Sequence, residues 1–336
     1  MDTLSHALLG AAIGQLALGH RVGNRAVLAG AVVALLPDID VPIGNMLGDA
    51  AALTFHRGIT HSVVFALLAA LALGHLFARG GKGPGWRQWS MLCGAVLLSH
   101  LLLDAFTSYG IQLLLPFSNH SFAIASVSVI DPVYTLPLLL TVLIFPWLRG
   151  QRARQTLAGV GVVLSSAYLA LTLYNKQAVT ARFEDALRQQ GVETQRLFVK
   201  PSMFNNLLWR GIAETEDGYR VGFFSLLDKK GPENFIHFPR REELLARHRQ
   251  APLVRDLLKV SDGYFQVETV DGTLYFHDLR YGKAFEWLQD ERPHVFTYRL
   301  IEEQGEIVDL EVISLAVDKE RDRRTFQALL QRASGL

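Results

Sequence analysis

The chain has 336 residues, half of them hydrophobic, and a formal net charge of +1, which gives no bulk electrostatic reason to expect a nucleic-acid partner. Its only cysteine, Cys93, lies in an apolar run and excludes an intramolecular disulfide, so cysteine usage does not indicate a compartment. Charged residues are sparse before Asn175 and frequent after it. This asymmetry predicts a membrane domain over residues 1–174 and a soluble domain over residues 175–336.

Six apolar segments predict a multi-pass α-helical membrane domain of about six helices. A helix that spans the hydrocarbon needs about 20 residues, with a range of roughly 17–25. The second segment is shorter than this range, and the fifth contains prolines, which membrane helices tolerate. No basic residue precedes the first segment, so we expect a helix of the mature protein rather than a signal peptide. In chain order the segments are Thr3–Gly19, Asn24–Leu36, Thr60–Ala78, Gln88–Ala105, Val133–Leu148 and Thr156–Tyr174.

Basic residues in short loops predict the orientation of these helices. They concentrate in the loops after the first, third and fifth segments. The loops on the other side, residues 37–59 and 106–132, hold one arginine, Arg57, and no lysine. We therefore expect the first side to be cytoplasmic, and both termini and the soluble domain to be extracytoplasmic. The basic loop residues are Arg21, Arg25, Arg79, Lys82, Arg87, Arg149, Arg152 and Arg154.

A polar stretch, His56-Arg57-Gly58-Ile59-Thr60-His61-Ser62, stands at the start of the third apolar segment. The orientation set by arginine and lysine alone places this stretch at the outer face, together with other histidines and aspartates near helix ends. One such histidine is commonly an interfacial polar residue, and one such aspartate is commonly a helix cap. Many of them on one face favour a shared site. They are His6, Asp38, Asp40, His56, His61, His100, Asp104 and Asp131.

Imidazole and carboxylate groups are the ligands expected for zinc or another first-row divalent metal. His100 and Asp104 are spaced i, i+4, so they share one helix face and can converge on one ion. The residue before Pro37 is biased toward extended geometry, and alternation in an extended turn directs Asp38 and Asp40 to the same side. The predicted metal ligands are His6, His56, His61, His100, Asp104 and Asp131.

Three further residues are predicted to have catalytic roles. A carboxylate that stays outside the coordination shell can act as general base, which is the role we expect for Asp38 or Asp40. Arg57 is predicted to hold an anionic oxygen of the substrate. The metal would lower the pKa of a bound water to near neutrality and polarise a phosphoryl or carbonyl oxygen.

In combination these motifs resemble those of the bacterial inner-membrane metal-dependent hydrolases of the YdjM type. The resemblance spans roughly the first half of the chain and implies an inner-membrane location and a metal-dependent hydrolase activity. The histidine and aspartate pattern is also similar to that of zinc-dependent phospholipases C and related nucleases, an analogy that favours a phosphodiester or phospholipid substrate. The motifs are Asp2-Thr3-Leu4-Ser5-His6, Leu36-Pro37-Asp38-Ile39-Asp40, the stretch from His56 to Ser62, His100-Leu101-Leu102-Leu103-Asp104, and Asp131-Pro132.

The second half of the chain predicts a soluble α+β domain. Helical patterns cover Asn175–Gln190, Arg240–Val260 with a break near Pro252, and Asp318–Arg332, and Asp271-Gly272 is a strong hairpin signal. Histidines here lack ligand spacing, and we interpret them as ordinary surface or core residues: His237, His248, His277 and His294. The predicted strands are Val192–Val199, Leu207–Glu214, Tyr219–Leu226, Tyr264–Val270, Thr273–Leu279, His294–Glu302 and Ile307–Ile313.

The sequence thus predicts a membrane-bound hydrolase that uses a divalent metal, with zinc as first choice, on a phosphoester or lipid-type substrate at the outer membrane face. The expected partners are the lipid bilayer and a phospholipid or phosphoester substrate. One alternative is a metal-ion transporter or sensor, and another is a non-catalytic membrane scaffold with a structural metal. Transport is disfavoured because the predicted ligands cluster at one end of the helices, whereas an ion pathway is lined nearer the midplane.

Overall fold

The computed structural model of the chain describes residues 1–79, 83–283, 286, 293–313 and 319–335, with the backbone alone for 319–325. These residues form two compact units. Lys82 of the basic loops and Asp318 at the start of the last predicted helix lie outside the described residues. The first unit contains Met1–Pro42, Phe55–Asn175 and Met203–Asn206, and the second contains Ile43–Thr54, Lys176–Ser202 and Leu207–Leu336.

The first unit is helical. Its first two helices approach closely, because a Cβ atom on Gly10 or on Gly30 would collide with the carbonyl oxygen of the other. Small residues at a helix contact are typical of packing in membranes. Helix α8 begins in this unit and continues into the second. Most of α3 and of α4 belongs to the second unit. In chain order the α-helices from Thr3 to Gln189 are α1 (Thr3–Val22), α2 (Asn24–Ala34), α3 (Asp40–Leu47), α4 (Asp49–Phe55), α5 (Val63–Ala78), α6 (Trp86–Ala105), α7 (Pro132–Ile144) and α8 (Gln151–Gln189).

By length and composition, α6 and α8 are candidate membrane spans. Two bent pairs add up to two more if each pair is one span: Asn24–Ala34 with Pro37–Leu47, bent by 47°, and Asp49–His61 with α5, bent by 62°. The apolar helix Pro132–Trp147 is shorter. The described helices therefore give two to four candidate spans, and the count of about six stays a prediction.

The geometry predicted around Pro37 is wrong. Leu36 is helical, with φ −62° and ψ −40°, and Pro37–Ile39 form a 3-10 turn rather than an extended one. The reason is that the last turn of α2 runs on, with the Leu36 amide donating to the Val33 carbonyl at 3.1 Å. A second 3-10 turn, Ile59–His61, precedes α5 and contacts the first.

The second unit contains two four-stranded antiparallel sheets, in the orders β1-β2-β3-β4 and β5-β6-β7-β8. Asp271 and Gly272 both have positive φ and join β5 to β6, which confirms the predicted hairpin. The strands are β1 (Arg196–Pro201), β2 (Leu208–Thr215), β3 (Gly218–Ser225), β4 (Phe235–Phe238), β5 (Phe265–Val270), β6 (Thr273–Asp278), β7 (Thr297–Glu303) and β8 (Glu306–Ile313). Strand β4 is not among the predicted strands.

Two helices and a turn complete the second unit. The helical pattern predicted over Arg240–Val260 is a 3-10 turn, Glu242–Leu245, followed by α9 (Pro252–Val260), which begins at the proline expected to break it. The last helix is α10 (Lys319–Ala333).

A short stretch of the membrane half, Ile43–Thr54, belongs to the second unit. Leu53 lies in a core with Leu257 and Phe265, and the Asp49 carboxylate accepts a hydrogen bond from the Val312 amide at 2.8 Å. The segment Ile43–Thr54, which lies between Asp40 and His56 in the chain, therefore packs with strands and helices of the C-terminal half.

Candidate metal centre

Four elements of the first unit carry the side chains of the candidate site. The 3-10 turn after α2 carries Asp38, and α3 begins at Asp40. The second 3-10 turn ends at His61, whose side chain is buried. The last two turns of α6 carry His100 and Asp104 on one face, as their spacing predicts, and both are buried.

Four side-chain atoms converge: Asp38 Oδ1, His61 Nε2, His100 Nε2 and Asp104 Oδ2. The two imidazole nitrogens are 3.3 Å apart. Asp38 Oδ1 lies 3.5 Å from His61 Nε2 and 3.7 Å from His100 Nε2, and Asp104 Oδ2 lies 3.4 and 3.6 Å from the same nitrogens. In a tetrahedral zinc site with bonds of about 2.0–2.1 Å, neighbouring ligand atoms are about 3.3–3.4 Å apart. The measured separations are therefore close to those of a single tetrahedral ion.

The hydrogen bonds behind the two imidazoles determine which nitrogen is free. His100 Nδ1 donates to the Ala34 carbonyl at 2.7 Å, and His61 Nδ1 faces Asp40 Oδ2 at 3.2 Å. With the proton on Nδ1 in both rings, each Nε2 carries a lone pair that points at the other and at two carboxylate oxygens. His61, His100 and Asp104 are buried, and buried acceptors that face one another are unfavourable without a cation between them. Within the described parts of the chain, this is the one group of three or more such residues that could hold a metal ion.

Asp104 presents its two oxygens to different partners. Oδ1 accepts from Arg57 Nη2 at 3.2 Å and faces His6 Nε2 at 3.1 Å, and the amino group of Met1 also contacts it. Oδ2 is buried and accepts no hydrogen bond from the described residues. One oxygen is thus held by donors, and the other is left for the four-atom group.

Asp40, which the sequence predicts as a catalytic carboxylate, is surrounded by donors. It accepts from the Arg57 amide at 2.8 Å and the Thr60 hydroxyl at 2.9 Å, and it faces His56 Nδ1 at 3.1 Å as well as His61 Nδ1. It is fully buried. In this geometry Asp40 orients His61, as outer carboxylates do behind metal-bound imidazoles.

Three predicted ligands lie outside the four-atom group. His6 stacks on His100 with ring centroids 3.7 Å apart and contacts Asp104. His56 lies edge-on to His61, and its side chain is 26% exposed. Each of these two histidines therefore supports a residue of the group.

Asp131 has a different role in the fold. Its Oδ1 accepts from the amides of Val133 and Tyr134 at 3.0 and 3.3 Å, and its Oδ2 accepts from the Tyr168 hydroxyl at 2.9 Å. It is the N-cap of α7. The sequence carries this signal, because Asp followed by Pro before an apolar run is typical of a helix start.

Three contributors to the site are absent from the sequence prediction, and one is the Met1 amino group beside Asp104. The Ala34 carbonyl, at the last residue of α2, holds His100. The final carbonyls of a helix lack intrahelical partners, so one of them is available to an imidazole. Tyr109 packs its ring under the guanidinium of Arg57, 5.0 Å from the ring centroid. A helix end can be read from sequence, but which side chain it meets depends on how the helices pack.

Apolar candidate spans and a group of two imidazoles and two carboxylates, in which Asp38 alone is partly exposed, define a helical membrane protein with a candidate metal centre. The chain belongs to the YdjM inner membrane protein family, whose model matches residues 1–179 and so includes every residue of the group. This membership and the apolar helices place the protein in the inner membrane.

Two relatives extend this result. The uncharacterized protein YfhP of Bacillus subtilis (strain 168) is 28% identical over 233 residues, which are 66% of this chain and 68% of that protein. The inner membrane protein YbcI of Escherichia coli (strain K12) is 36% identical over 129 residues, which are 35% of this chain and 69% of that protein. No solved structure matches the chain.

Proposed function

We propose that the protein is a membrane-bound metal-dependent hydrolase that acts on a phosphoester or lipid-type substrate. The observation that carries the proposal is the convergence of four acceptor atoms from Asp38, His61, His100 and Asp104, all within 4.8 Å of one another. Each imidazole is held from behind in the orientation that metal ligands require. A bound divalent ion would supply Lewis acidity toward a phosphoryl or carbonyl oxygen and would activate water.

The surrounding side chains have separate roles in this proposal. His61, His100 and Asp104 are fully buried or nearly so and would hold the ion from inside the helical unit. The Asp38 side chain is 22% exposed, so a substrate would approach a bound ion from the side of this residue. His56 is held by Asp40 through Nδ1 and is partly exposed, which makes it the candidate to move a proton to or from the substrate.

A structural or sensing metal is the second candidate function. Four protein ligands are typical of closed structural zinc sites, whereas catalytic sites keep one position open. The two candidates differ in Asp38, because a catalytic site must admit water or substrate beside this ligand. If the protein is an enzyme, Asp38→Asn would abolish hydrolysis. If the metal is structural or sensing, the unaltered protein would already show no hydrolysis.

Hydrolysis assays test the proposal directly. The full chain, purified in detergent and loaded with Zn²⁺, is assayed on a generic phosphodiester and on phospholipid vesicles. We expect activity that is lost in His61→Ala and Asp104→Ala while the variants stay folded and inserted. Full activity in both variants would overturn the site, and no activity on any ester with metal bound would favour the second candidate.

The orientation of the protein remains our proposal, with the second unit extracytoplasmic. The 37–59 region provides the test, because Met46 is 86% exposed and the single cysteine, Cys93, is buried. In a Cys93→Ser background, Met46→Cys should react with a membrane-impermeant thiol reagent in intact spheroplasts. Labelling only after lysis would reverse the orientation.

A further inference from the structure

Arg57 contacts two carboxylates of the candidate metal centre, the ligand Asp104 and the supporting Asp40. Its Nη2 donates to Asp104 Oδ1 at 3.2 Å, and its backbone amide donates to Asp40 Oδ2 at 2.8 Å. Its Nη1 donates to Thr107 Oγ1 at 3.0 Å. The residue is 6% exposed, and its guanidinium lies over the ring of Tyr109. Arg57 is thus fixed at four points within the helical unit.

The backbone of Arg57 makes this double contact possible. Its φ is +57°, in the left-handed region that residues other than glycine rarely adopt. A residue persists there when its surroundings hold it, and such residues cluster at functional sites. The conformation lets one residue give its amide to Asp40 and its side chain to Asp104.

We propose that Arg57 is a positioning residue that makes Asp104 bind the metal through one oxygen only. This inference rests on the proposed metal centre. With Oδ1 held by Arg57, by His6 and by the Met1 amino group, Asp104 has only Oδ2 to offer the ion. If the guanidinium is removed, His6 and the Met1 amino group remain on Oδ1. We expect the carboxylate to turn and bind through both oxygens, which raises the coordination number above four.

The charges of the cluster give Arg57 a second effect on the metal. Asp38, Asp40 and Asp104 bring three carboxylates, and the Arg57 guanidinium contacts one of them, Asp104. A neighbouring cation lowers the affinity of a site for metal, whereas fixed ligands raise it. We expect the gain from fixed ligands to exceed this repulsion, because loss of outer partners typically weakens metal binding by about 10–100-fold.

The sequence prediction gave Arg57 the role of holding a substrate oxygen, and its contacts favour positioning instead. Both Nη atoms are engaged, and only Nε lacks a hydrogen-bond partner among the described residues. The two roles predict different defects. A substrate-binding arginine affects KM and leaves metal binding unchanged, whereas a positioning arginine alters the metal itself.

Cobalt binding to the full chain in detergent separates these roles, because four-coordinate Co²⁺ absorbs visible light more strongly than ions of higher coordination number. We expect Arg57→Ala to bind Co²⁺ about 10–100-fold more weakly than the unaltered chain and with weaker absorption per bound ion. Arg57→Lys should recover part of the Co²⁺ affinity and part of the absorption per bound ion. Arg57→Gly keeps the backbone amide and accepts the positive φ, so it isolates the loss of the side chain. Arg25→Ala, at an exposed arginine of the same unit, is the control.

The outcomes distinguish this inference from the proposed function. If the unaltered chain binds no Co²⁺ or Zn²⁺, both fall together. If the unaltered chain binds Co²⁺ and folded Arg57→Ala binds it with equal affinity and the same spectrum, the positioning role is contradicted and the metal centre stands. If Arg57→Ala fails to fold, the comparison of Arg57→Gly and Arg57→Lys decides: equal affinity and spectra in these two would overturn the inference.

Discussion

Two pairs of buried histidines, one in each unit, lie in very different surroundings. His61 and His100 have ring centroids 5.2 Å apart and are tilted by 56°, so their Nε2 atoms meet with two carboxylate oxygens. His277 and His294 are stacked, with centroids 4.3 Å apart and an angle of 25°. Both nitrogens of His277 are hydrogen-bonded, to Thr297 and to Glu268, each at 2.9 Å.

The difference shows that burial of histidine does not by itself indicate a metal site. What matters is where the free lone pairs point after the other nitrogens have been bonded. In the first pair they converge on one position with Asp38 and Asp104. In the second pair one carboxylate bonds one imidazole, and no group of three ligands forms in the part of the second unit that the structure describes.

Removing one histidine from each pair should give the largest difference in metal affinity between two variants. His100→Ala deletes a ligand, so we expect divalent metal affinity to fall by more than about 100-fold, beyond the 10–100-fold typical of outer partners. His277→Ala should leave metal affinity unchanged. Chelator competition with Zn²⁺ measures both, and size-exclusion profiles in detergent check folding. Equal metal affinity in the two variants would remove the distinction between the pairs.

Leu53→Ala tests whether the segment Ile43–Thr54 belongs to the second unit. Leu53 is 6% exposed within the core of the second unit. Its truncation should destabilise that unit by about 2–5 kcal/mol and leave metal affinity unchanged, because its core contains no candidate ligand. Hydrogen exchange of peptides from β5 and β8 measures the loss. Leu28→Ala, at an exposed position of the first unit, is the control, and exchange unchanged by Leu53→Ala would contradict the assignment.

Asp40→Asn tests the outer carboxylate behind His61. The amide keeps the size of the side chain, but its nitrogen cannot accept from the donors that converge on Asp40. We expect metal affinity to fall by about 10–100-fold with one ion still bound per chain. Asp185→Asn, at an exposed aspartate, should bind like the unaltered chain. Complete loss of binding in Asp40→Asn would instead make Asp40 a direct ligand.

The smallest expected effect is a pH dependence in the second unit. Burial, then the neighbouring His277, Lys283 and Arg210, lower the pKa of His294 from its ordinary value of 6.5. Below pH 6.5 His294 therefore binds a proton in the unfolded chain but not in the folded chain. The free energy of unfolding consequently falls as the pH drops below 6.5. We expect a loss of about 1 kcal/mol over the first pH unit.

Hydrogen exchange of β6 and β7, corrected for the intrinsic pH dependence of exchange, measures this loss. His294→Gln cannot titrate and should weaken the dependence, whereas His237→Gln, at a partly exposed histidine, should not. A dependence unchanged in His294→Gln would assign it to other groups.

Sequence spacing predicted the residues that converge, and it did so through local geometry. His100 and Asp104 share a helix face because of their i, i+4 spacing, and this holds in any packing arrangement. Loop charges, an independent signal, placed Asp38 and His61 at the same face. Asp38 was predicted as a catalytic carboxylate, whereas the structure puts it among the four candidate ligands. Yet the sequence could not separate ligands from supporting residues, because His6, His56 and Asp40 have the same chemistry. Only the contacts of each side chain make that distinction.

Features that depend on contacts between residues far apart in the chain could not be predicted from the sequence. The segment Ile43–Thr54 reads as a loop between membrane helices, but its partners Val312 and Leu257 lie more than 200 residues away along the chain. Strand β4 is short and is defined by its pairing with β3. Local patterns therefore predicted the hairpin of β5 and β6, whereas long-range pairing had to be observed.

The metal content of the purified chain tests the central claim most directly. Full-length protein in detergent is loaded with Zn²⁺, dialysed against metal-free buffer and measured by elemental analysis, with His61→Ala treated identically. We predict one ion retained per unaltered chain and none in the variant. An unaltered, folded chain without metal, or a variant that retains the same amount, would contradict the assignment of Asp38, His61, His100 and Asp104 as a metal centre.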